Sequence, residues 1–233
     1  MAIVKKELPL ARSMCWHCQS DIGGEYFCQQ CVKVQPLSKD IDYFTALGLP
    51  RKLNIDTGML ETKFYEMSRA FHPDFYEGKS DMERAVSLAN SATLNQAYST
   101  LKNPIERVEY LLRLEAGSAK EIPGKAPTEL FETLLEIQEQ LEELQTLKGQ
   151  KGTGSEEIVG RLRAERGTLE AKRGALERRL AELFQLWDRL ADRSSSDQGQ
   201  KTEKEQVLKQ MRDILSQRNY LNTMLANIAE ALE

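Results

Sequence analysis

The chain has 233 residues, with 32 basic against 36 acidic side chains and only two histidines. Its basic residues are dispersed among acids, which argues against nucleic acid as a partner, and no apolar run is long enough to cross a bilayer. Met1 to Met14 carries Lys5, Lys6 and Arg12 but no sustained apolar core, and it includes Glu7, so neither a secretory signal nor a transit peptide is expected.

Residues 13–34 hold all four cysteines and a Gly-Gly turn in a stretch too short to bury a core of its own. Two close cysteine pairs without a signal peptide point to metal or redox chemistry in a reducing compartment, the cytoplasm ahead of the mitochondrial matrix, rather than to structural disulfides. A short helix is predicted from Asp40 to Leu47, with Gly48 placed to stop it. A second runs from Asp56 into His72, apolar at Met59, Leu60, Phe64, Met67 and Phe71 in helical steps. Ser80-Asp81-Met82-Glu83 reads as a capping box opening a third helix that extends to Lys102. Asn103-Pro104 then supplies a cap and a first-turn proline for a fourth helix ending at Ala116. Ile122 to Pro127 is a Pro/Gly linker.

Beyond the linker, three helices are expected. The first carries Leu130, Leu134, Ile137, Leu141 and Leu144. The second spans Glu156 to Ala191, with Gly160, Gly167 and Gly174 lowering its propensity. The third has a stripe of Val207, Met211, Ile214, Leu221, Leu225, Ile228 and Leu232, interrupted by Arg218. No strand is expected outside the cysteine region. The fold class is therefore all-α: a helical hairpin domain over 38–120, then an antiparallel bundle or coiled coil over 127–233, preceded by a small metal-binding segment over 1–37.

Two constellations carry chemistry. Cys15-Trp16-His17-Cys18 and Cys28-Gln29-Gln30-Cys31 can place four thiolates on one tetrahedral centre, suited to Zn²⁺ at a closed structural site. Metal would also supply the folding free energy that so short a segment lacks. Iron in place of zinc is the alternative left by the ligands, and a redox role for the CxxC pairs lacks its βαβ context. His17, between two inward-pointing cysteines, reads as a bystander. His72-Pro73-Asp74 lies at the tip of the hairpin, where proline ends the preceding helix and biases His72 to an extended conformation. With no nucleophile, phosphate loop or acid pair beside it, this tripeptide is a contact surface and not a catalytic site.

The setting of that tripeptide resembles the J domain of DnaJ-type co-chaperones, and more closely the Hsc20/HscB family of iron–sulfur cluster co-chaperones. The matching residues are Asp42-Tyr43-Phe44, Leu47-Gly48-Leu49, Asp56-Thr57, Leu60, Phe64 and His72-Pro73-Asp74-Phe75. The match continues through Asn95 to Leu101, Pro104, Arg107, Glu109-Tyr110-Leu111-Leu112 and Leu114, then Leu130-Phe131-Glu132, Leu135-Glu136-Ile137, Glu139 and Leu141. Some members of the family carry a similar tetracysteine knuckle.

The resemblance implies that His72, Pro73 and Asp74 dock on an Hsp70-class ATPase of the HscA type and stimulate its ATP hydrolysis. Lys63 and Arg69 would supply the basic face of the second helix, here diluted by Glu61 and Glu66. It further implies that an IscU-type iron–sulfur scaffold binds an apolar edge at Phe131 and Leu135, bordered by Glu136, Glu139 and Glu143, with Tyr220 as an aromatic from the last helix. Phe131 and Leu135 lie about 100° around their helix from the leucine stripe. They could instead widen the stripe that faces the core. A general J protein with a dimerising coiled coil is the rival reading.

Overall fold

The structure is a computed structural model that describes residues 14–22, 26–116, 128–147, 153–193 and 198–233. The chain divides into two compact units, Met1–Ser118 and Ala119–Glu233.

In the first unit, local polar chemistry sets each helix end. Helix α1 (Tyr43–Ala46) begins where the Asp42 carboxylate accepts from Thr45 N and Thr45 Oγ1, at 3.1 and 2.7 Å. It is shorter than the segment from Asp40 to Leu47 that the sequence predicts, because Asp42 is extended and serves as the cap. Gly48, at φ +62°, turns the chain out of it. Helix α2 (Thr57–Phe71) is capped by Asp56, which accepts from Met59 N at 2.8 Å. It stops at Phe71 because Pro73 keeps His72 out of the helical region, at φ −59°, ψ 126°.

Helix α3 (Asp81–Lys102) opens on the complete Ser80/Glu83 capping box. Asn103 Oδ1 accepts from Ile105 N at 2.9 Å to start α4 (Pro104–Ala116), so both ends of this junction follow the predicted chemistry. Helices α2 and α3 form the hairpin, α1 and α4 pack on α3, and Phe44, Leu53, Leu60, Phe71, Leu94, Leu101, Val108 and Leu111 lie buried within the unit. Phe64 stacks on Tyr98 across the hairpin at 4.3 Å, and Tyr43 stacks on Tyr110 at the same separation.

Arg107, 4% exposed, is the one charged residue of α4 in this interior among the described residues. Its guanidinium donates to the carbonyls of Leu101, Lys102 and Leu53 and so finishes α3 and ties down the segment before α2.

The second unit contains α5 (Thr128–Leu147), α6 (Thr153–Asp192) and α7 (Gln198–Leu232). Leu130, Ile137 and Leu144 of α5 meet Ile158, Leu162 and Leu169 of α6 and Leu221, Met224, Leu225 and Ile228 of α7 in one buried cluster. Gly160 and Gly167 face open space, so α6 passes through them without a break. Arg218, the gap in the α7 stripe, reaches across to Glu177 of α6 at 3.0 Å. Among the described residues there are no extended strands, only isolated antiparallel bridges Met14–Asp21 and Phe27–Val34 in the cysteine region, and no helix is long and apolar enough to cross a membrane.

Candidate metal centre, hairpin tip and bundle face

The two CxxC segments fold as repeated knuckles. Cys15 N donates to Ser20 O and Cys28 N to Lys33 O, at 2.8 and 2.9 Å, while Gln19 N and Val32 N return to the carbonyls of Cys15 and Cys28. Each turn places the residue after its second cysteine in the left-handed region, Gln19 at φ 64° and Val32 at φ 59°. For a β-branched residue that conformation costs roughly 1–3 kcal/mol, so the surrounding knuckle must impose it.

The four sulfurs lie within 4.8 Å of one another, and the Cys15–Cys31 and Cys18–Cys28 separations are each 3.6 Å. A disulfide needs a sulfur separation of about 2.0 Å. A tetrahedron of thiolates at the zinc–sulfur distance has edges of about 3.8 Å, which these separations approach. The donor set therefore fits a four-coordinate thiophilic ion.

Protein dipoles already point at the sulfurs. His17 N and Gln35 Nε2 lie 3.3 and 3.4 Å from Cys15 Sγ, and Ser20 Oγ lies 3.0 and 3.1 Å from Cys18 and Cys28 Sγ. The Ser20 hydroxyl is the largest influence drawing the Cys28 thiol down to about 6, whereas burial, with the neighbouring sulfurs, pushes Cys31 up to about 12. Four such groups cannot all ionise beside one another without a cation, which is the need a bound metal meets. His17 is exposed and its ring packs edge-on against Trp16.

At the hairpin tip, His72 and Asp74 have side chains 49% and 76% exposed. Pro73–Tyr76 form a single 3-10 turn, closed by Phe75 N donating to His72 O at 3.1 Å. Asp74 N also donates to His72 Nδ1 at 3.4 Å, and the same nitrogen lies 3.5 Å from Asp74 Oδ2. Phe75, 66% exposed, extends the tip with an aromatic ring. Below it, Tyr76 is buried and donates to Ala70 O at 2.9 Å, while Ser87 and Ser91 of α3 both donate to Phe71 O, at 2.7 and 2.8 Å. The tip is thus exposed at its polar end and fastened at its base. Arg69 is exposed in the last turn of α2. Lys63 is half-buried, and its ammonium lies beside the turn at Gly48.

On α5 the apolar side chains divide. Leu130, Ile137 and Leu144 are buried, whereas Phe131 and Leu135 are 52% and 45% exposed. Glu136, Glu139 and Glu143 are exposed beside them, and Glu143 lies 3.9 Å from Arg161 of α6. Tyr220 is half-buried against the bundle core.

Sequence reasoning did not find the residues that fasten the cysteine segment to the hairpin, among them Lys33, Gln35, Glu83 and Asn90. They pair over separations of 50 residues or more, beyond any local pattern.

A His-Pro-Asp turn at the tip of a two-helix hairpin, followed by a three-helix bundle, is an arrangement similar to that of J-domain proteins. No family model matches the chain. Over 106 residues it is 40% identical to the co-chaperone protein HscB of Proteus mirabilis (strain HI4320), covering 45% of this chain and 61% of that protein. It is 33% identical over 137 residues to the iron-sulfur cluster co-chaperone protein HscB of Mus musculus, covering 57% of this chain and 58% of that one. To the HscB homolog of Arabidopsis thaliana it is 31% identical over 129 residues, 55% of this chain and 51% of the relative. The chain thus spans less than two thirds of the length of these curated relatives.

The crystal structure of human co-chaperone protein HscB shares the fold with a TM-score of 0.62 at 22% identity, over 93% of this chain and 97% of that one. The chaperone HscB from Vibrio cholerae aligns with a TM-score of 0.53 at 24% identity, over 81% of this chain and 96% of its own. In sequence the chain is thus similar to HscB co-chaperones over part of their length, and in fold it is similar to solved HscB structures.

Proposed function

We propose that this chain is a non-enzymatic co-chaperone in iron–sulfur cluster biogenesis, acting in the cytoplasm through three modules. The cysteine segment over 1–37 holds a structural zinc ion through Cys15, Cys18, Cys28 and Cys31. The J domain over 38–120 engages an Hsp70-class ATPase, and the bundle over 127–233 holds an iron–sulfur scaffold protein. The observation that carries the reading is the exposed His72 and Asp74 on a turn whose base is fully fastened, in a chain similar to iron-sulfur cluster co-chaperones.

The division of labour follows from the chemistry of each surface. His72, Pro73 and Asp74 present a preformed contact that needs little ordering on docking, which lowers the entropic cost of a small interface. Arg69 adds a cation beside them, with Lys63 further from the tip. The bundle offers Phe131 and Leu135 as adjacent exposed apolar side chains framed by Glu136, Glu139 and Glu143, with Tyr220 contributed by α7. Exposed aromatic and aliphatic anchors with an acidic rim suit a partner surface that is apolar at its centre and basic around it.

Phe131→Ala combined with Leu135→Ala separates the two surfaces. Both side chains are about half exposed, so the fold tolerates their loss. Scaffold binding, followed by calorimetry, is expected to weaken at least about tenfold, the effect of truncating central anchors. Stimulation of the ATPase by the chain alone is expected to be unchanged. Unaltered scaffold affinity would remove the assigned face.

A further inference from the structure

The His-Pro-Asp turn is held from within by few contacts: Phe75 N donates to His72 O and, further on, Lys79 N to Tyr76 O, at 3.1 and 3.0 Å, while His72 Nδ1 lies 3.4 Å from Asp74 N and 3.5 Å from Asp74 Oδ2. Beyond the Tyr76 hydroxyl bond to Ala70 O beneath it, its seat on the hairpin depends on its two ends: Phe71 at the entrance, and the Ser80/Glu83 cap at the exit.

Both ends are gripped by the cysteine segment. At the entrance, the fully buried Phe71 ring meets Tyr26 edge-on at 5.2 Å and Phe27 in a stack at 6.3 Å. These two aromatics immediately precede Cys28, and Tyr26 also donates from its hydroxyl to Met67 Sδ of α2 at 3.6 Å. At the exit, Lys33 Nζ donates to Glu83 Oε2 at 2.7 Å. That carboxylate, 5% exposed, also accepts from the Ser80 hydroxyl at 2.8 Å and the Ser80 backbone N–H at 3.3 Å. The Lys33 ammonium is the leading cause of the lowered Glu83 pKa, so the carboxylate is held ionised at neutral pH and Lys33 compensates a nearly buried charge.

Between these grips, Asn90 of α3 donates to Gln35 O at 2.9 Å and accepts from Leu37 N at 3.0 Å. Gln35, itself fully buried, donates back to Lys33 O at 2.7 Å and faces Cys15 Sγ. The second knuckle is thereby joined to the hairpin through buried polar groups as well as rings.

We propose that the cysteine segment is a positioning device for the His-Pro-Asp turn, with Tyr26 and Phe27 fixing its entrance through Phe71 and Lys33 fixing its exit through Glu83. The proposal rests on the reading of that turn as the ATPase-docking element. Tyr26, Phe27 and Lys33 act through other residues, so they are positioning residues and not contacts of the ATPase.

The test uses the full-length, metal-loaded chain as Lys33→Met and, separately, as Tyr26→Leu/Phe27→Leu, with metal content measured to confirm that each keeps its ion. Amide exchange at Asp74, Phe75 and Lys79 is expected to accelerate about tenfold to a hundredfold, the range for losing a charge-assisted hydrogen bond that closes a local opening. Exchange at Val108, Leu111 and Leu112 in α4 should be unchanged. Maximal ATPase stimulation should fall in both variants, and Lys33→Arg, which keeps the cation, should restore both exchange and stimulation. Unchanged exchange at the turn in variants that retain their metal overturns the proposal, whatever the ATPase does. Accelerated exchange in a chain that never stimulates an ATPase upholds the positioning and overturns the docking reading instead.

Discussion

Replacing His72 by Gln, or Asp74 by Asn, is expected to abolish stimulation of the partner ATPase while leaving the helices intact. Both side chains are largely solvent-exposed, and the turn that carries them is fastened by Phe71 O, Tyr76 and the Ser80/Glu83 cap rather than by their own heads. Such surface substitutions change stability by no more than about 0.5 kcal/mol. A contact at the centre of a small docking surface is worth about 2 kcal/mol or more, roughly thirtyfold in affinity. Asp74→Asn keeps the shape and removes the charge. His72→Gln keeps a polar side chain and removes the ring that accepts from Asp74 N. Circular dichroism should show full helicity for both, and the ATPase rate should stay at its unstimulated level. Stimulation undiminished in either variant would remove that residue from the docking surface.

Removal of the metal, by a chelator or by Cys28→Ser, is expected to unfold the cysteine segment while the helices persist. The buried cluster between the two knuckles holds only Cys15, Ile22 and Cys28, with Cys31 partly buried against them, too little apolar surface to hold the knuckles folded by themselves. Binding of a structural zinc ion contributes about 10–16 kcal/mol in comparable small modules, and that contribution vanishes with the ion. Trp16 reports the loss directly, because its indole N–H donates to Val34 O at 2.7 Å across the two knuckles. Its fluorescence should shift to the red on chelation, and Trp16→Phe should eliminate the shift. Metal analysis should give one ion per chain, and the absence of visible absorption would identify zinc over iron. Protein that purifies without metal and does not respond to chelation would contradict the assignment.

Much of this architecture is written in local chemistry. Asp56, the Ser80/Glu83 box, Asn103-Pro104 and Pro73 each act within three or four residues, so the ends of α2, α3 and the start of α4 follow from the sequence. The start of α1 did not, because Asp40 and Asp42 are both competent caps and only the fold selects Asp42. The offset of Phe131 and Leu135 from the leucine stripe was also legible, since helical periodicity alone separates the two faces, and both side chains are indeed exposed. Arg107 shows the opposite case. A charge on a helix ordinarily reads as solvated, yet this one is buried because three carbonyls from two segments converge on it. The contacts between the cysteine segment and the hairpin are equally non-local. Lys33 and Glu83 carry ordinary charges that pair across 50 residues of sequence, alongside the packing of Tyr26 and Phe27 on Phe71.

The most direct test of the co-chaperone reading is the ATPase rate of an Hsp70-class partner titrated with the full-length chain, with and without an iron–sulfur scaffold protein. The account predicts saturable stimulation by the chain and a more than additive rise when the scaffold is present; no stimulation at any concentration, with the metal in place and the helices folded, would contradict it.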